Sequence, residues 1–152
     1  MKKRIAIVLG SKSDLETIRP GLDILERLKI EYKLEVISAH RNPEELRRFC
    51  KRIERQGIEV VIACAGLSAA LPGFIASYVN IPVVGVPLDA GEFKGLESLL
   101  SIVEVPKGLG LVSTGIGKKG FINAIVFSLK ILSLSNKSFA LKLKSLKNKF
   151  KK

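Results

Sequence analysis

Residues 5–9, Ile-Ala-Ile-Val-Leu, form an unbroken apolar run that stops at Gly10. Such a run suits a strand buried on both faces of a parallel sheet. Behind it, Leu15, Ile18, Leu22, Leu25 and Leu28 recur at helical spacing, the stripe of an amphipathic helix. Ser13, with Glu16 three positions on, reads as its capping box. Residues 34–37 predict a second strand. Asn42-Pro43-Glu44-Glu45 then opens a second helix, with Asn as cap and Pro in the first turn. Leu46, Phe49, Cys50 and Ile53 are its buried side, and Gly57 ends it. Strands follow at 59–64, 82–86 and 109–113, with helices at 71–79, 95–103 and 120–133 between and after them. This alternation predicts an open parallel sheet with helices on both faces.

The 120–133 segment is apolar nearly all round, from Phe121 and Ile122 to Ile131 and Leu132. A helix of that kind is buried on every side, and at the end of so short a chain this implies a subunit interface. A last helix carries Phe139, Leu143, Leu146 and Phe150 at helical spacing, with lysines between. Its stripe should lie on a partner or on the chain's own core.

Length changes little: 152 residues suit one domain, with a core over about 3–133 and a basic helix over 134–152. Charge changes more. The net +12 suggests a nucleic-acid binder, but residues 1–104 carry 15 Lys and Arg against 14 Asp and Glu. The excess sits in residues 105–152, which hold 11 Lys and no acid. A basic end can hold polyanions without specificity, and it can equally be a solvated helix face. With no Trp and no aromatic interleaving there is little to stack on bases, so no specific nucleic-acid partner is expected. No run approaches the roughly 20 apolar residues of a membrane span. The apolar run after the basic Met1-Lys2-Lys3-Arg4 is too short for a secretory signal, so the cytoplasm is the expected compartment. Cys50 and Cys64 fit no metal spacing and read as small buried hydrophobes.

In open parallel sheets ligands bind outside the carboxyl ends of the strands, so candidate chemistry is sought just after each one. The first such loop is Gly10-Ser11-Lys12-Ser13-Asp14. Its hydroxyls and the following helix amides can hold a phosphate, and Asp14 can accept from ribose hydroxyls. The same residues are also good helix caps. The loop is neither a Walker loop nor a dinucleotide fingerprint. The second is Ser38-Ala39-His40-Arg41-Asn42-Pro43. His40 is the only histidine, and an imidazole can both give and take a proton near neutral pH. Arg41 offers a fixed fork for phosphate, or a surface ion pair with Glu44 or Glu45. The third, from Ala65 and Gly66 through Ser68 to Leu71, is crowded with small residues. It suits either a flat ligand lying on backbone or tight packing. Ser68 is not in a nucleophile elbow, and without a second histidine a serine triad is excluded. The stretches 87–95 and 101–108 look like mobile covering loops.

Taken together, Gly10-Ser11-Lys12-Ser13-Asp14, Ser38-Ala39-His40-Arg41-Asn42-Pro43, Ala65-Gly66 with Leu71-Pro72-Gly73, and Ser98-Leu99-Leu100-Ser101-Ile102-Val103 with Pro106 and Gly108 resemble the PurE family. That family includes N5-carboxyaminoimidazole ribonucleotide mutase and aminoimidazole ribonucleotide carboxylase. The resemblance runs in order and spacing from about Lys3 to Leu132. It implies a flavodoxin-like three-layer αβα domain with a central parallel sheet, C-terminal helices for oligomer packing, and an octamer with sites near subunit contacts. It implies a small ribonucleotide substrate, no metal and no organic cofactor. By position, Ser11, Ser38 and Arg41 would take the phosphate, Asp14 the ribose, and Ser13 would order that loop. Ala39, Ser68 and Leu71 would line the substrate, Ala65 and Gly66 would lie along the imidazole, and His40 would be general acid and base. An ATP-dependent carboxyaminoimidazole ribonucleotide synthase would be a functional partner. Within the family, mutases usually read Ala-Ala-His-Leu-Pro-Gly in the third loop. Here Ser68-Ala69-Ala70-Leu71-Pro72-Gly73 puts Ala70 at the second His, and Val105 replaces a usual Met. Ser68 and Ala70 resemble the carboxylases that use CO2 directly. Arg41, Pro43 and Pro72 resemble the mutases, which is the expected subclass. Direct carboxylation and a non-catalytic nucleotide-binding relative are the alternatives.

Overall fold

The computed structural model describes residues 3–151. Five parallel strands form one sheet: β1 (Ile5–Leu9), β2 (Tyr32–Val36), β3 (Val60–Ala65), β4 (Val83–Pro87) and β5 (Val112–Ser113). Their spatial order is β2-β1-β3-β4-β5. Six α-helices connect and flank them: α1 (Leu15–Arg27), α2 (Pro43–Ile53), α3 (Ala70–Tyr78), α4 (Leu96–Val103), α5 (Gly117–Ser133) and α6 (Lys137–Lys149).

The central strands are apolar at every position because both sheet faces are covered. Ile5, Ile7 and Leu9 of β1 face one core with Ile18, Leu22 and Leu25 of α1 and Phe121, Ile125 and Leu129 of α5. Ala6 and Val8 face the other, with Leu46, Phe49 and Ile53 of α2, Ile75 of α3 and Ile102 of α4. This is the period-2 alternation of a strand read twice, once per face. Strand β2 is half-buried throughout, as an edge, and Lys33 pairs with Glu35 there at 3.2 Å. Among the described residues no helix is long and apolar enough to cross a membrane.

Several expectations shift. The capping box lies two residues earlier than Ser13 and Glu16. Ser11 caps a 3-10 turn over Lys12–Asp14, accepting from the Ser13 amide at 3.4 Å, while Asp14 accepts from the Ser11 amide at 3.0 Å. Asn42 makes no cap bond; its side-chain amide donates to Glu45 at 3.4 Å instead. The expected 109–113 strand shrinks to two residues, since Leu109 closes a turn onto the Pro106 carbonyl at 3.1 Å. Helix α5 begins three residues before Gly120, with the Gly120 amide donating to the Ile116 carbonyl.

Helix α5 is also not buried on every side. Its inner face is, but Ile122, Val126, Phe127 and Ile131 are only partly covered. Part of that cover comes from the chain's own α6, whose Phe139 and Leu146 are buried in the same core. Phe150, expected on the same stripe, stands largely exposed. Lys142 anchors α6 to the end of α1, its ammonium donating to the carbonyls of Leu28 and Lys29. A cation at a helix C-terminus satisfies orphan carbonyls and the dipole together.

Lys29 ends α1 in the left-handed region, at φ 52°, with the Ile30 amide donating to the Leu25 carbonyl. Glycine adopts that conformation without the Cβ cost of about 1–2 kcal/mol. The Lys29→Gly variant is therefore expected to be more stable by about 0.5–1 kcal/mol, after the extra backbone entropy of glycine is subtracted. Urea unfolding of both proteins measures this.

Candidate functional site

The loops after β1, β2 and β3 converge because those strands are neighbours in the sheet, in the order β2-β1-β3. Chain order reverses between β1 and β3 there, and the two crossovers leave toward opposite faces. This opens a crevice at the carboxyl ends. A cavity of about 410 Å³ occupies it. Ser11, Ser13 and Asp14 form one wall, Ser38, Ala39, His40 and Arg41 another, and Ala65, Gly66, Ser68 and Leu71 a third. All eleven residues singled out from sequence thus line a single cavity.

Hydrogen bonds hold the walls. Ser11 and Ser13 join their hydroxyls at 2.9 Å, and the Ser11 amide is fixed on Asp14. The Gly10 amide donates to the Cys64 carbonyl at 3.1 Å, which ties the first loop to β3. In the second loop the Ser38 hydroxyl accepts from the Arg41 amide at 3.3 Å, and the Asn42 amide donates to the Ser38 carbonyl. His40 and Arg41 are both exposed on this turn. Neither Glu44 nor Glu45 pairs with Arg41 among the described residues: Glu44 reaches Arg47 at 4.0 Å and Glu45 reaches Asn42. Arg41 stands at the cavity rim.

In the third loop packing explains Gly66. A Cβ there would lie 2.8 Å from the Ala90 Cβ, below normal contact, so any side chain would displace the loop after β4. Leu67 holds a left-handed conformation, φ 53°, and the buried Ser98 hydroxyl donates to its carbonyl at 2.8 Å. Site geometry is therefore tied to α4.

Sequence reasoning missed Ala90 in the wall and Ser98 as the residue that holds Leu67. Ala90 carries no polar group to announce itself. Ser98 lay within the quoted motif, but its partner is 31 residues away. Of the two expected covering loops, the one after β4 reaches the cavity through Ala90. Residues 101–103 belong instead to α4, and none of 104–108 lines the cavity.

Burial raises the Asp14 carboxyl above its ordinary range, and the Ser11 amide offsets part of that rise. Desolvation likewise pushes the Cys50 thiol up to about 11, and takes the fully buried Cys64 well above its ordinary value with help from the charge of Asp14. Thiols so raised are neutral near pH 7 and are not nucleophiles.

Parallel strands in the order 2-1-3-4-5, with a cavity at the switch point, define a flavodoxin-like α/β protein. The chain belongs to the AIR carboxylase family, whose model matches residues 4–152. It is 43% identical over 141 residues to the N5-carboxyaminoimidazole ribonucleotide mutase of Saccharolobus solfataricus, covering 93% of this chain and 88% of the relative. It is 41% identical over 143 residues to the enzyme of the same name from Bacillus subtilis, covering 94% and 88%. Among solved structures, Treponema denticola PurE superposes with a TM-score of 0.82 at 27% identity, over 95% of this chain and 89% of that one.

Proposed function

We propose that this protein interconverts N5-carboxyaminoimidazole ribonucleotide and 4-carboxy-5-aminoimidazole ribonucleotide in purine biosynthesis, with His40 as the proton carrier. The observation that carries the reading is the convergence of Ser11, Asp14, Ser38, Arg41 and His40 on one cavity, in a chain whose relatives bear the mutase name. The Arg41 fork and the Ser11 and Ser38 hydroxyls take the phosphate, and Asp14 accepts from the ribose. Ser13 keeps Ser11 in place through their shared hydrogen bond. Ala39, Ala65, Gly66, Ser68 and Leu71 give the aminoimidazole a flat, largely apolar wall.

The chemistry needs one proton moved twice. The carbon–nitrogen bond of the N-carboxylate breaks, CO2 departs, and protonated His40 delivers its proton to that nitrogen. Ring carbon C4 then attacks the CO2, forming the new carbon–carbon bond. Neutral His40 takes the C4 proton, restoring aromaticity and its own charge. Both partners stay in one cavity, so the second step has the advantage of proximity.

One observation favours a second reading. Ala70 lines the cavity and presents only a methyl group, as in the carboxylases that take CO2 directly. A paired assay separates the two. The mutase converts the N-carboxylated isomer without added bicarbonate. A protein that ignores this isomer, and carboxylates aminoimidazole ribonucleotide only as bicarbonate is raised, is the direct carboxylase. Nucleotide binding without turnover in either arm would mark a non-catalytic relative.

The proposal extends to a cytoplasmic homo-octamer supplied with substrate by an ATP-dependent carboxyaminoimidazole ribonucleotide synthase. An apolar stripe left open on α4 beside the site supports self-assembly.

Asp14 gives a pH-dependent test. Its folded carboxyl binds its proton more tightly than the unfolded one, so the charged form costs stability. That cost is absent in acid, grows as pH rises through the ordinary carboxylate range, and is complete above the raised value. Asp14→Asn removes it and can still accept from the Ser11 amide. The variant is expected to be more stable than the parent at pH 7, with the gap closing in acid. Nucleotide affinity should fall about 10–100-fold, the worth of hydrogen bonds to a charged group. Thermal unfolding across pH and titration calorimetry read the two effects.

A further inference from the structure

Three non-glycine residues among the described residues hold the left-handed conformation: Lys29, Leu67 and Lys94. Lys29 ends a helix, and Lys94 lies in the turn that leads into α4. Leu67 alone of the three lines the cavity. Its φ of 53° crowds the Cβ against the following carbonyl, a cost that glycine does not carry. Neighbouring groups hold it there. The Leu67 carbonyl accepts from the Ala69 amide at 2.8 Å and from the buried Ser98 hydroxyl at 2.8 Å. Its side chain leans on Gly91, where an added Cβ would lie 2.9 Å from Leu67 Cδ2 and closer still to Glu97 Oε1. Glu97 is thus wedged on the same glycine, and its Oε2 is buried with no hydrogen-bond partner among the described residues. A strained backbone and an unsatisfied acceptor persist side by side only where surrounding structure over-determines them, and such places cluster at ligand clamps.

The side chain held in this way differs from the rest of the lining. Leu67 is 58% exposed. The other large apolar residue of the cavity, Leu71, is buried in the core. On either side of Leu67, Gly66 and Ser68 offer only small groups. The contacts assigned to phosphate and ribose all come from the first two loops, whereas Leu67 belongs to the third, the wall given to the base.

We infer that Leu67 sets the preference of the cavity for a nucleotide over a base-free sugar phosphate. Its isobutyl group covers the flat aminoimidazole, and the strained turn keeps it in that position. This rests on the functional reading above and adds to it a residue that selects the base. Apolar cover favours a planar ring, whose faces gain by leaving water, and offers nothing to phosphate or hydroxyl groups. A glycine would hold the same turn without crowding, but it would leave the ring open to solvent.

The test compares the parent with Leu67→Gly and Leu67→Ala. Calorimetry without bicarbonate, so that no carboxylation occurs, measures the binding of aminoimidazole ribonucleotide and of ribose 5-phosphate. Both variants are expected to bind the nucleotide about tenfold more weakly, the worth of part of a leucine side chain removed from water. They should bind ribose 5-phosphate as the parent does. In turnover the loss should appear in KM, with kcat held. Urea unfolding separates this role from a structural one: Leu67→Gly, freed of the crowding, should unfold at the parent's midpoint or above it while binding the nucleotide worse. Leu67→Ala keeps the crowding and loses only the cover, so it should match Leu67→Gly in binding. Parent-like nucleotide affinity in both variants takes Leu67 out of recognition and leaves the functional reading standing. Equal losses on the nucleotide and the sugar phosphate also overturn the inference, because they mark a distorted cavity. A parent that binds neither ligand overturns the functional reading and this inference together.

Discussion

Replacing His40 with asparagine is expected to lower turnover by about 10²–10⁴-fold, the usual contribution of a positioned general acid–base group. Asparagine keeps a planar polar side chain, but it cannot gain and lose a proton near neutral pH. No other histidine exists to substitute for it. Binding should change far less, because the phosphate and ribose contacts are assigned to Ser11, Ser38, Arg41 and Asp14. The loss should therefore appear in kcat, with substrate affinity by calorimetry staying within a few-fold. Stability should also hold, since the imidazole is exposed and such surface changes usually fall within about 0.5 kcal/mol. A variant that turns over as fast as the parent removes His40 from the reaction and the mechanism with it.

The largest effect on stability is expected from Gly120→Ala. A Cβ at Gly120 would lie 1.9 Å from the Gly115 carbonyl oxygen and 2.3 Å from its carbon. The obstacle is backbone, so no side-chain rotation relieves it. Nor can the turn swing away: Thr114 donates its hydroxyl to the Gly120 carbonyl at 2.9 Å, and Asn123 reaches the Thr114 carbonyl at 3.4 Å. The neighbouring Phe121 is fully buried against the core, so shifting the start of α5 disturbs packing under α1 as well. Overpacking with side-chain relief costs about 1–3 kcal/mol; without that relief, a loss above about 3 kcal/mol is expected. Denaturant unfolding of Gly120→Ala beside the parent measures it, and a loss under about 1 kcal/mol would show that the turn is free to open.

The elements that were legible in the chain are those whose two neighbours are both apolar. Strand β1 carries only apolar residues, and the structure buries all five on the two cores. The α1 and α2 stripes likewise predicted Ile18, Leu22, Leu25, Leu46, Phe49 and Ile53 as buried. The site was legible for a related reason. In a parallel sheet every strand delivers its carboxyl end to the same rim, so locating the strands locates the loops that meet there. Ser11, Ser38 and His40 could be grouped before their distances were known.

Other features depend on partners far along the chain. The capping box moved from Ser13 and Glu16 to Ser11 and Asp14 because both pairs satisfy the same local rule. The choice falls to the geometry of the turn leaving β1, where the Gly10 amide bonds to β3. Helix α5 looked buried all round, but sequence periodicity cannot say whether the cover is a second subunit or the chain's own α6. Lys142 on the end of α1 decides part of that question across more than a hundred residues.

By itself, the order of apolar and polar residues determined the strand–helix alternation, the two-faced core and the three loops that line the cavity. Each of these follows from local periodicity and from the common direction of parallel strands. Tertiary structure alone decided which serine caps, why Gly66 must lack a side chain, and how Ser98 fixes Leu67. Those outcomes turn on steric contact and hydrogen bonding between segments remote in sequence, and no local pattern encodes them.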